Sequence, residues 1–364
     1  MKTIAITLLF SLSISVSFAQ LVSLNATEIT ALKQQIKKDG RAKKLYANFK
    51  ILADAYLDEV PNPVDTIRTE GLLKGNPKKE RTALALKDMN KMFILALEFK
   101  ITGERKYLNK SNEFLIAWAK LNQPNGDPID DTNLDNAIEA YDLIKENIPA
   151  SDKIIITDWL KRTALAEINS KRMNRNRGTG INNWNAHRLK IVGEIGYALN
   201  NKEFIDWTID RFKKHIEVNL NEDGTSLDFK DRDAMHYHIY DLEPMLKLAL
   251  LIKRAGGEDF YNYQSPKLSS IKKSVEWLIP YIKGEKQHEE YVNTTVKFDR
   301  DRAKNNEPGF APGTMFKPSL ALPVLKLSVY FDLNQTNLLS SLNEKGKDWQ
   351  MLMDEIRYKV KSNN

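Results

Sequence analysis

Apolar residues recur at intervals of three and four through most of the chain, which is the period of a helix that packs on one face. The stretch ALALKDMNKMFILALEFKITG shows this pattern and ends at Gly103, a residue type that commonly stops a helix. Alternating, strand-like patterns are scarce, so the sequence favours a helical fold. The predicted helices form adjacent pairs with short connections, at 83–103 and 107–121, 134–148 and 153–171, 184–199 and 202–219, and 234–255 and 265–283.

Paired amphipathic helices of ordinary length, with no sequence repeat behind them, are typical of an (α/α) toroid. We therefore predict an all-α fold, an (α/α) toroid or incomplete barrel of antiparallel helical hairpins, in one domain over residues 20–364. Ser151 and Asp152 are predicted to cap the helix that follows them. The stretches 61–83 and 288–313 break the helical pattern and are interpreted as lids or binding loops, with a minor β element near 288–300.

The first nineteen residues have the form of a secretory signal peptide. Lys2 is followed by an apolar, serine-containing run to Phe18, and Ser17-Phe18-Ala19 fits a cleavage site. A transmembrane helix is the weaker interpretation, because the run is short and interrupted by serines. We predict a periplasmic or secreted mature protein that is not inserted in a membrane.

The charge of the chain indicates what such a protein would bind. The net charge is +7 and the isoelectric point is about 9.1, which favours an anionic partner. For an exported protein, an acidic polysaccharide fits this charge better than nucleic acid. The chain has no cysteine, so its stability must come from a packed core. We also expect the protein to be a monomer.

The segment GINNWNAH, residues 180–187, places three amides, an indole and a histidine where a helix is predicted to begin. Asn183 and His187 are four residues apart and Trp184 and His187 are three apart, so these side chains can share one face. The structural alternative is that Asn182 or Asn183 caps the helix, Trp184 lies in the core and His187 is a satisfied polar residue. A cap needs only one amide, so the cluster favours a binding site.

The segment DGTSLDFKDRDAMHYHIYDLEP, residues 223–244, holds the densest group of titratable side chains. Arg232, His236 and Tyr240 follow one another at intervals of four, which places them on one helical face. A tyrosine has a pKa of about 10 and is a poor base unless cations stabilise its phenolate, which Arg232 could do. The structural alternative is a surface helix with an aromatic core stripe.

A metal site made by His187, His236 and His238 is disfavoured. Residues two apart on a helix point about 200° apart, so His236 and His238 cannot easily bind one ion. No carboxylate cluster accompanies them. We therefore expect no metal and no other cofactor.

Five segments, in the same order, resemble the alginate lyase superfamily of bacterial uronan lyases, in the branch with an (α/α) toroid fold. The segments are IRTEG, NQPNGDPIDDTNLDNAIEAYDLI, INNWNAH, DGTSLDFKDRDAMHYHIYDLE and EYVNTTVKFDRDRA. The resemblance implies a polysaccharide lyase that cleaves alginate by β-elimination without a metal.

The resemblance also implies roles for matching residues. Tyr240 closes a Tyr-His-x-Tyr motif, which implies that it protonates the leaving glycosidic oxygen and leaves open whether it is also the base. Asn183 matches an asparagine that neutralises the uronate carboxylate. Arg68 is implied to contact substrate, and Arg232 is the best match, one residue out of register, for an arginine before the tyrosine motif.

One departure from the family pattern is Trp184, which stands where the family has a catalytic histidine. His187, one turn further on, and His236 are the alternatives for that role. The departure leaves the substrate open between alginate and a related uronan such as polyglucuronate. The remaining positions predicted to bind substrate are Asn182, Trp184, Tyr237, His238 and Arg302.

Other interpretations stay open at this point. The basic loop KRMNRNR, residues 171–177, either guides a polyanion or is a solvated charge run. A glycoside hydrolase would need two carboxylates that flank the bond, and a non-catalytic binder of acidic glycans would use the same basic and aromatic groups. The candidate carboxylates for a hydrolase are Asp228, Asp231, Asp233 and Asp241.

Overall fold

Helices make up nearly all of the regular structure in the computed structural model, which describes residues 20–173, 178–342 and 348–361. The predicted signal peptide, residues 1–19, lies outside the described residues, as does the part of the basic loop at 174–177. The helices are α1 (Ala26–Lys38), α2 (Gly40–Ala55), α3 (Pro77–Ala85), α4 (Lys87–Thr102), α5 (Arg105–Leu121), α6 (Pro128–Asp131), α7 (Asp135–Ile144), α8 (Ala150–Ile168), α9 (Asn183–Leu199), α10 (Lys202–Asn219), α11 (Leu227–Arg232), α12 (Met235–Arg254), α13 (Ile271–Ile282), α14 (Lys297–Lys304), α15 (Leu322–Ser328), α16 (Thr336–Leu342) and α17 (Trp349–Lys361).

Local sequence explains where several helices begin and end. Asn182 caps α9 by accepting a hydrogen bond from the N–H of Trp184 (3.1 Å), and Gly103 ends α4 in the left-handed conformation that glycine adopts easily. The predicted cap of α8 is wrong. The helix begins directly after Pro149, no side chain caps it, and Asp152 in its first turn accepts a hydrogen bond from Asn112 (2.6 Å) instead.

The helices pack into a closed ring, which confirms the all-α toroid. Around the ring, α4 contacts α7, α7 contacts α9, α9 contacts α12 and α12 contacts α15; α17, α1 and α2 then lead back to α4. The pairs α4–α5, α9–α10 and α12–α13 pack as the predicted hairpins do, whereas α8 packs mainly on α5 and α9 rather than on α7. Within the described ranges, no helix is long and apolar enough to cross a bilayer.

The β structure of the described residues is one small antiparallel pair. Strand β1 (Glu289–Glu290) pairs with β2 (Thr314–Met315). It falls at the start of the range 288–300 where a minor β element was predicted. The alternating run 291–298 is not a strand, because Tyr291 has a left-handed φ of 63° and the chain then turns into α14.

Helix α9 belongs to both large apolar clusters of the described structure. Ile191 and Val192 pack in the cluster formed with α4, α5 and α7, while Leu189 packs in the cluster formed with α10, α12 and α15. Gly193 allows the close approach of two neighbours, since a Cβ there would lie 2.6 Å from Leu248 and 3.1 Å from Thr208. The middle of α9 is therefore packed closely on both sides.

The indole of Trp118 provides a test of how this core is stabilised. Trp118 and Asp88 are both fully buried, and Nε1 of Trp118 donates to Asp88 (3.0 Å). We expect Trp118→Phe to lower the free energy of unfolding by about 2–3 kcal/mol, because it leaves a cavity and removes a donor from a buried carboxylate. Urea unfolding would measure this, with Leu84→Ala at an exposed position as the control expected to change it by less than about 0.5 kcal/mol.

An equal loss of stability in the Trp118 and Leu84 variants would contradict this account of the core.

Candidate active site

A polar cavity of about 210 Å³ lies at the N-terminal ends of α9 and α12. Its walls come from the two segments that carry the predicted site and from both long loops. Its lining residues are Glu70, Ile129, Asn183, Trp184, Arg232, His236, Tyr237, Tyr240, Phe298, Arg302 and Phe310. Seven of the eleven predicted site residues are therefore brought together.

Arg68, Asn182 and His238, three of the predicted site residues, lie outside the cavity lining. Arg68 is exposed, and its backbone N–H donates to Thr82 (3.2 Å). Asn182 serves as the cap of α9. His238 is fully buried, with Nδ1 3.0 Å from the Ser226 hydroxyl and Nε2 3.2 Å from the Ser274 carbonyl, so it faces away from the cavity.

Asn183 is held in place by the buried carboxylate of Asp228. Both the backbone N–H (2.7 Å) and the side-chain amide of Asn183 donate to this carboxylate, and both residues are about 1% exposed. Burial raises the pKa of Asp228 to about 6, against the opposing effect of Arg232. The amide is thus fixed at the cavity wall before any substrate arrives.

Two arginines flank Tyr237. The guanidinium of Arg232 lies 3.7 Å from the centre of the Tyr237 ring and donates to Asp299 (2.5 Å). The guanidinium of Arg302 donates to the Tyr237 hydroxyl (2.6 Å) and lies 3.7 Å from the carboxylate of Glu307. Both cations are oriented by partners, and both also line the cavity.

Tyr240 has a hydroxyl that is free for a ligand. No side chain among the described residues hydrogen-bonds to it, whereas its ring lies 4.4 Å from the ring of His187 and 6.5 Å from that of His236, centre to centre. Burial raises the pKa of Tyr240 above its usual value, and Arg302 only partly opposes this. The phenol therefore keeps its proton at neutral pH.

His236 is the histidine that lines the cavity. Burial lowers its pKa to about 4, and the charges of Arg302 and Arg232 act in the same direction. The imidazole is therefore uncharged at neutral pH and has a nitrogen available to accept a proton.

His187, the other candidate histidine, lies beside this cavity rather than in it. It lines a neighbouring space of about 190 Å³ that shares Tyr240. Lys190 donates to the Thr132 hydroxyl (2.7 Å), which leaves that hydroxyl to donate to Nδ1 of His187 (2.8 Å). Burial holds the pKa of His187 well below its usual value, so the ring is neutral with its proton on Nε2.

A proline in α12 leaves a backbone carbonyl next to His187 without its helical donor. Pro244 has no N–H, so the carbonyl of Tyr240, four residues earlier, lacks its helical donor. The imidazole of His187 interacts with the backbone of Tyr240, and its buried Nε2 has no hydrogen-bond partner among the described residues. His187 therefore packs against Tyr240 beside the cavity, and its catalytic role stays a prediction.

Sequence reasoning missed four residues of the cavity wall. Glu70 lies two positions after Arg68 in the IRTEG segment, and Phe298 lies in the EYVNTTVKF segment, so both are close to predicted site residues. Ile129 and Phe310 carry no chemical signal that would have marked them. The missed residues are Glu70, Ile129, Phe298 and Phe310.

The four carboxylates proposed for a hydrolase lie outside the cavity lining, in which Glu70 is the one acidic side chain among the described residues. None of the four candidates lines it: Asp241 is fully buried, Asp228 is bound to Asn183, and Asp233 accepts hydrogen bonds from Asn293. In the described part of the basic loop, Arg172 donates to Asp127. That arginine is paired with a carboxylate of the protein.

A helical toroid that groups tyrosine, histidine, asparagine and arginine side chains around one cavity has the form of a polysaccharide lyase. A family model described as alginate lyase matches residues 25–288. The chain therefore belongs to the alginate lyase family, and it is a polysaccharide lyase. A comparison with curated proteins gives no match.

Solved structures of alginate lyases share the fold. An alginate lyase from Bacteroides ovatus is 17% identical, with a TM-score of 0.67 over 93% of this chain and 98% of that one. Alginate lyase A1-III from Sphingomonas species A1 is 20% identical, with a TM-score of 0.58 over 74% of this chain and 80% of that one. A histidine-to-alanine variant of A1-III, complexed with tetrasaccharide, is 20% identical, with a TM-score of 0.57 over 73% of this chain and 78% of that one.

The charge state of His236 is open to direct measurement. We expect its pKa to be about 4 and to rise in Arg302→Gln, because that substitution removes a positive charge that opposes protonation. NMR titration of the histidine ring protons would measure this, with His236→Gln to assign the signal. The control is Arg300→Gln, an exposed arginine two residues away. A pKa of about 6.5 for His236 in the folded protein would contradict the assignment.

Proposed function

We propose that this polysaccharide lyase is exported and cleaves a uronic-acid polymer, with alginate as the first candidate, by metal-independent β-elimination. The observation that carries the proposal is the single cavity that joins a free phenol, a neutral imidazole, a fixed amide and two guanidinium groups. Two variants of alginate lyase A1-III with the same fold were solved with tetrasaccharide, which supports an oligosaccharide ligand. Polyglucuronate is the alternative polymer.

The reaction needs three things from the protein. A base removes the proton from C5 of the uronate, the electron pair forms the C4=C5 double bond, and the C4–O4 bond breaks as O4 receives a proton. The C5 proton is acidic only when the adjacent carboxylate is neutralised, since negative charge develops there. The cavity holds candidates for each of these roles.

Tyr240 is the group we assign to protonate O4, because burial keeps its phenol protonated and its hydroxyl has no competing partner. His236 is the group we assign to accept the C5 proton, because it is uncharged at neutral pH. Asn183, Arg232 and Arg302 are assigned to the uronate carboxylate, and Trp184 offers a flat surface for a sugar ring. Tyr240 acting as both acid and base is the competing arrangement.

The role of Tyr240 can be tested by removing one oxygen atom. Tyr240→Phe should lower kcat by about 100- to 10,000-fold while substrate binding survives, because the variant keeps the ring but has no proton to give. The assay follows ultraviolet absorbance of the unsaturated product on polymannuronate, polyguluronate, mixed alginate and polyglucuronate, with a chelator present. Tyr281→Phe, away from the cavity, is the matched control and should behave like the unsubstituted protein.

Three results would revise the proposal in different ways. Absorbance that grows equally fast in the Tyr240 variant would remove Tyr240 from the mechanism. A His236→Ala variant that keeps its kcat would indicate that Tyr240 performs both proton transfers. Binding without any unsaturated product, even in the unsubstituted protein, would favour a non-catalytic binder of acidic glycans.

Export rests on the first nineteen residues of the sequence. If they form a cleaved signal peptide, the mature protein made from the full sequence in a bacterial host should begin at Gln20. N-terminal sequencing of protein recovered from the periplasm and the medium would measure this. Protein that keeps Met1 and stays in the membrane fraction would contradict export by cleavage.

A further inference from the structure

Glu70 places a carboxyl group in a cavity that the proposed function assigns to a negatively charged sugar. Its backbone position is fixed by the buried carboxylate of Asp130, which accepts hydrogen bonds from the N–H groups of Thr69 (2.6 Å) and Glu70 (3.0 Å) and from the Thr69 hydroxyl (2.7 Å). The loop therefore cannot easily withdraw Glu70 from the cavity. Its presence there requires an explanation.

The carboxyl group of Glu70 has few partners of its own. It interacts with the N–H of Gly71, and no side chain among the described residues hydrogen-bonds to it or forms an ion pair with it. Burial raises the pKa of Glu70 above its usual value and Asp130 acts in the same direction, whereas Arg302 and Arg232 oppose the rise. The phenols of Tyr237 and Tyr240 share the cavity with it and are uncharged.

The cavity has little positive charge that is not already paired with a carboxylate of the protein. Arg232 already donates to Asp299, and Arg302 lies 3.7 Å from Glu307, so much of their positive charge is offset by the protein. His236 contributes no positive charge at neutral pH. An ionised Glu70 would therefore repel a bound uronate at close range, where two carboxylates seldom both stay ionised.

We propose that Glu70 takes up a proton from solvent when the uronate binds, and that its acid form donates a hydrogen bond to the uronate carboxylate. This inference rests on the proposed function and adds a residue to it. In the complex, Glu70 and the uronate carboxylate together carry a single negative charge. This charge faces the guanidinium groups of Arg232 and Arg302. Glu70 then helps to neutralise the uronate carboxylate. It also favours an acidic sugar over a neutral one, because a neutral sugar has no carboxylate to accept this hydrogen bond.

Proton uptake by Glu70 would make the dissociation constant of the uronate depend on pH. Between the pKa of Glu70 in the free protein and its higher pKa in the complex, binding takes up about one proton, so Kd rises by about tenfold per pH unit. Below that window Glu70 is already protonated, so uptake falls towards zero. An ionised Glu70 that accepts a hydrogen bond from a sugar hydroxyl would take up no proton at any pH.

Calorimetric titration of a mannuronate tetrasaccharide into the Tyr240→Phe protein tests this directly, because that variant is expected to bind the sugar with little turnover. Repeating the titration at pH 7.5 in buffers of different ionisation enthalpy gives the number of protons taken up. We expect about one proton for Tyr240→Phe and none for Tyr240→Phe/Glu70→Gln, since glutamine mimics the protonated acid. Tyr240→Phe/Glu80→Gln, which changes an exposed carboxylate ten residues away, should still take up a proton.

A second measurement uses the catalytically active protein. In Glu70→Gln with Tyr240 intact, the rise of KM between pH 7 and 9 should disappear. Proton uptake that is absent in Tyr240→Phe, or that persists without Glu70, would overturn the inference while the proposed function stands. If no uronan tetrasaccharide binds and the unsubstituted protein forms no unsaturated product, the proposed function fails and the inference fails with it.

Discussion

The buried carboxylate of Asp228 is the interaction on which the cavity depends. It accepts two hydrogen bonds from Asn183, at the start of α9, and lies 3.8 Å from Nε of Arg232, at the end of α11. Burying a carboxylate is costly unless it is paired and hydrogen-bonded, so these contacts are needed together. Asp228 thereby joins the two segments that supply most of the proposed reacting groups.

The proposed site combines paired charges with neutral titratable groups. The carboxylates of Asp299 and Glu307 lie against the two arginines, while burial keeps His236 and Tyr240 uncharged at neutral pH. In a site arranged in this way the hydrogen-bonding groups are oriented before a ligand binds. Glu70 is the member whose charge would have to change.

The helical ring and the meeting of Asn183, Arg232, His236 and Tyr240 could be predicted from the sequence, because helical periodicity and spacings of four are local properties. The position of Glu70 could not be predicted, since its loop is held by a residue 60 positions away. Which of His187 and His236 lines the cavity also depended on long-range packing. Only the contact of α9 with α12 places one beside Tyr240 and the other in the cavity.

The closure of the ring has a consequence for the order in which the protein folds. Helix α17, at the end of the described chain, contacts α1 and α2 near its beginning, and Arg41 bonds to Glu355 across this seam (2.8 Å). Contacts between distant parts of a sequence form late and slowly, because a long loop must close first. The apolar faces of α1 and α2 therefore stay partly uncovered until synthesis of the chain is complete. A chain with this property completes its tertiary structure only after its two ends have met.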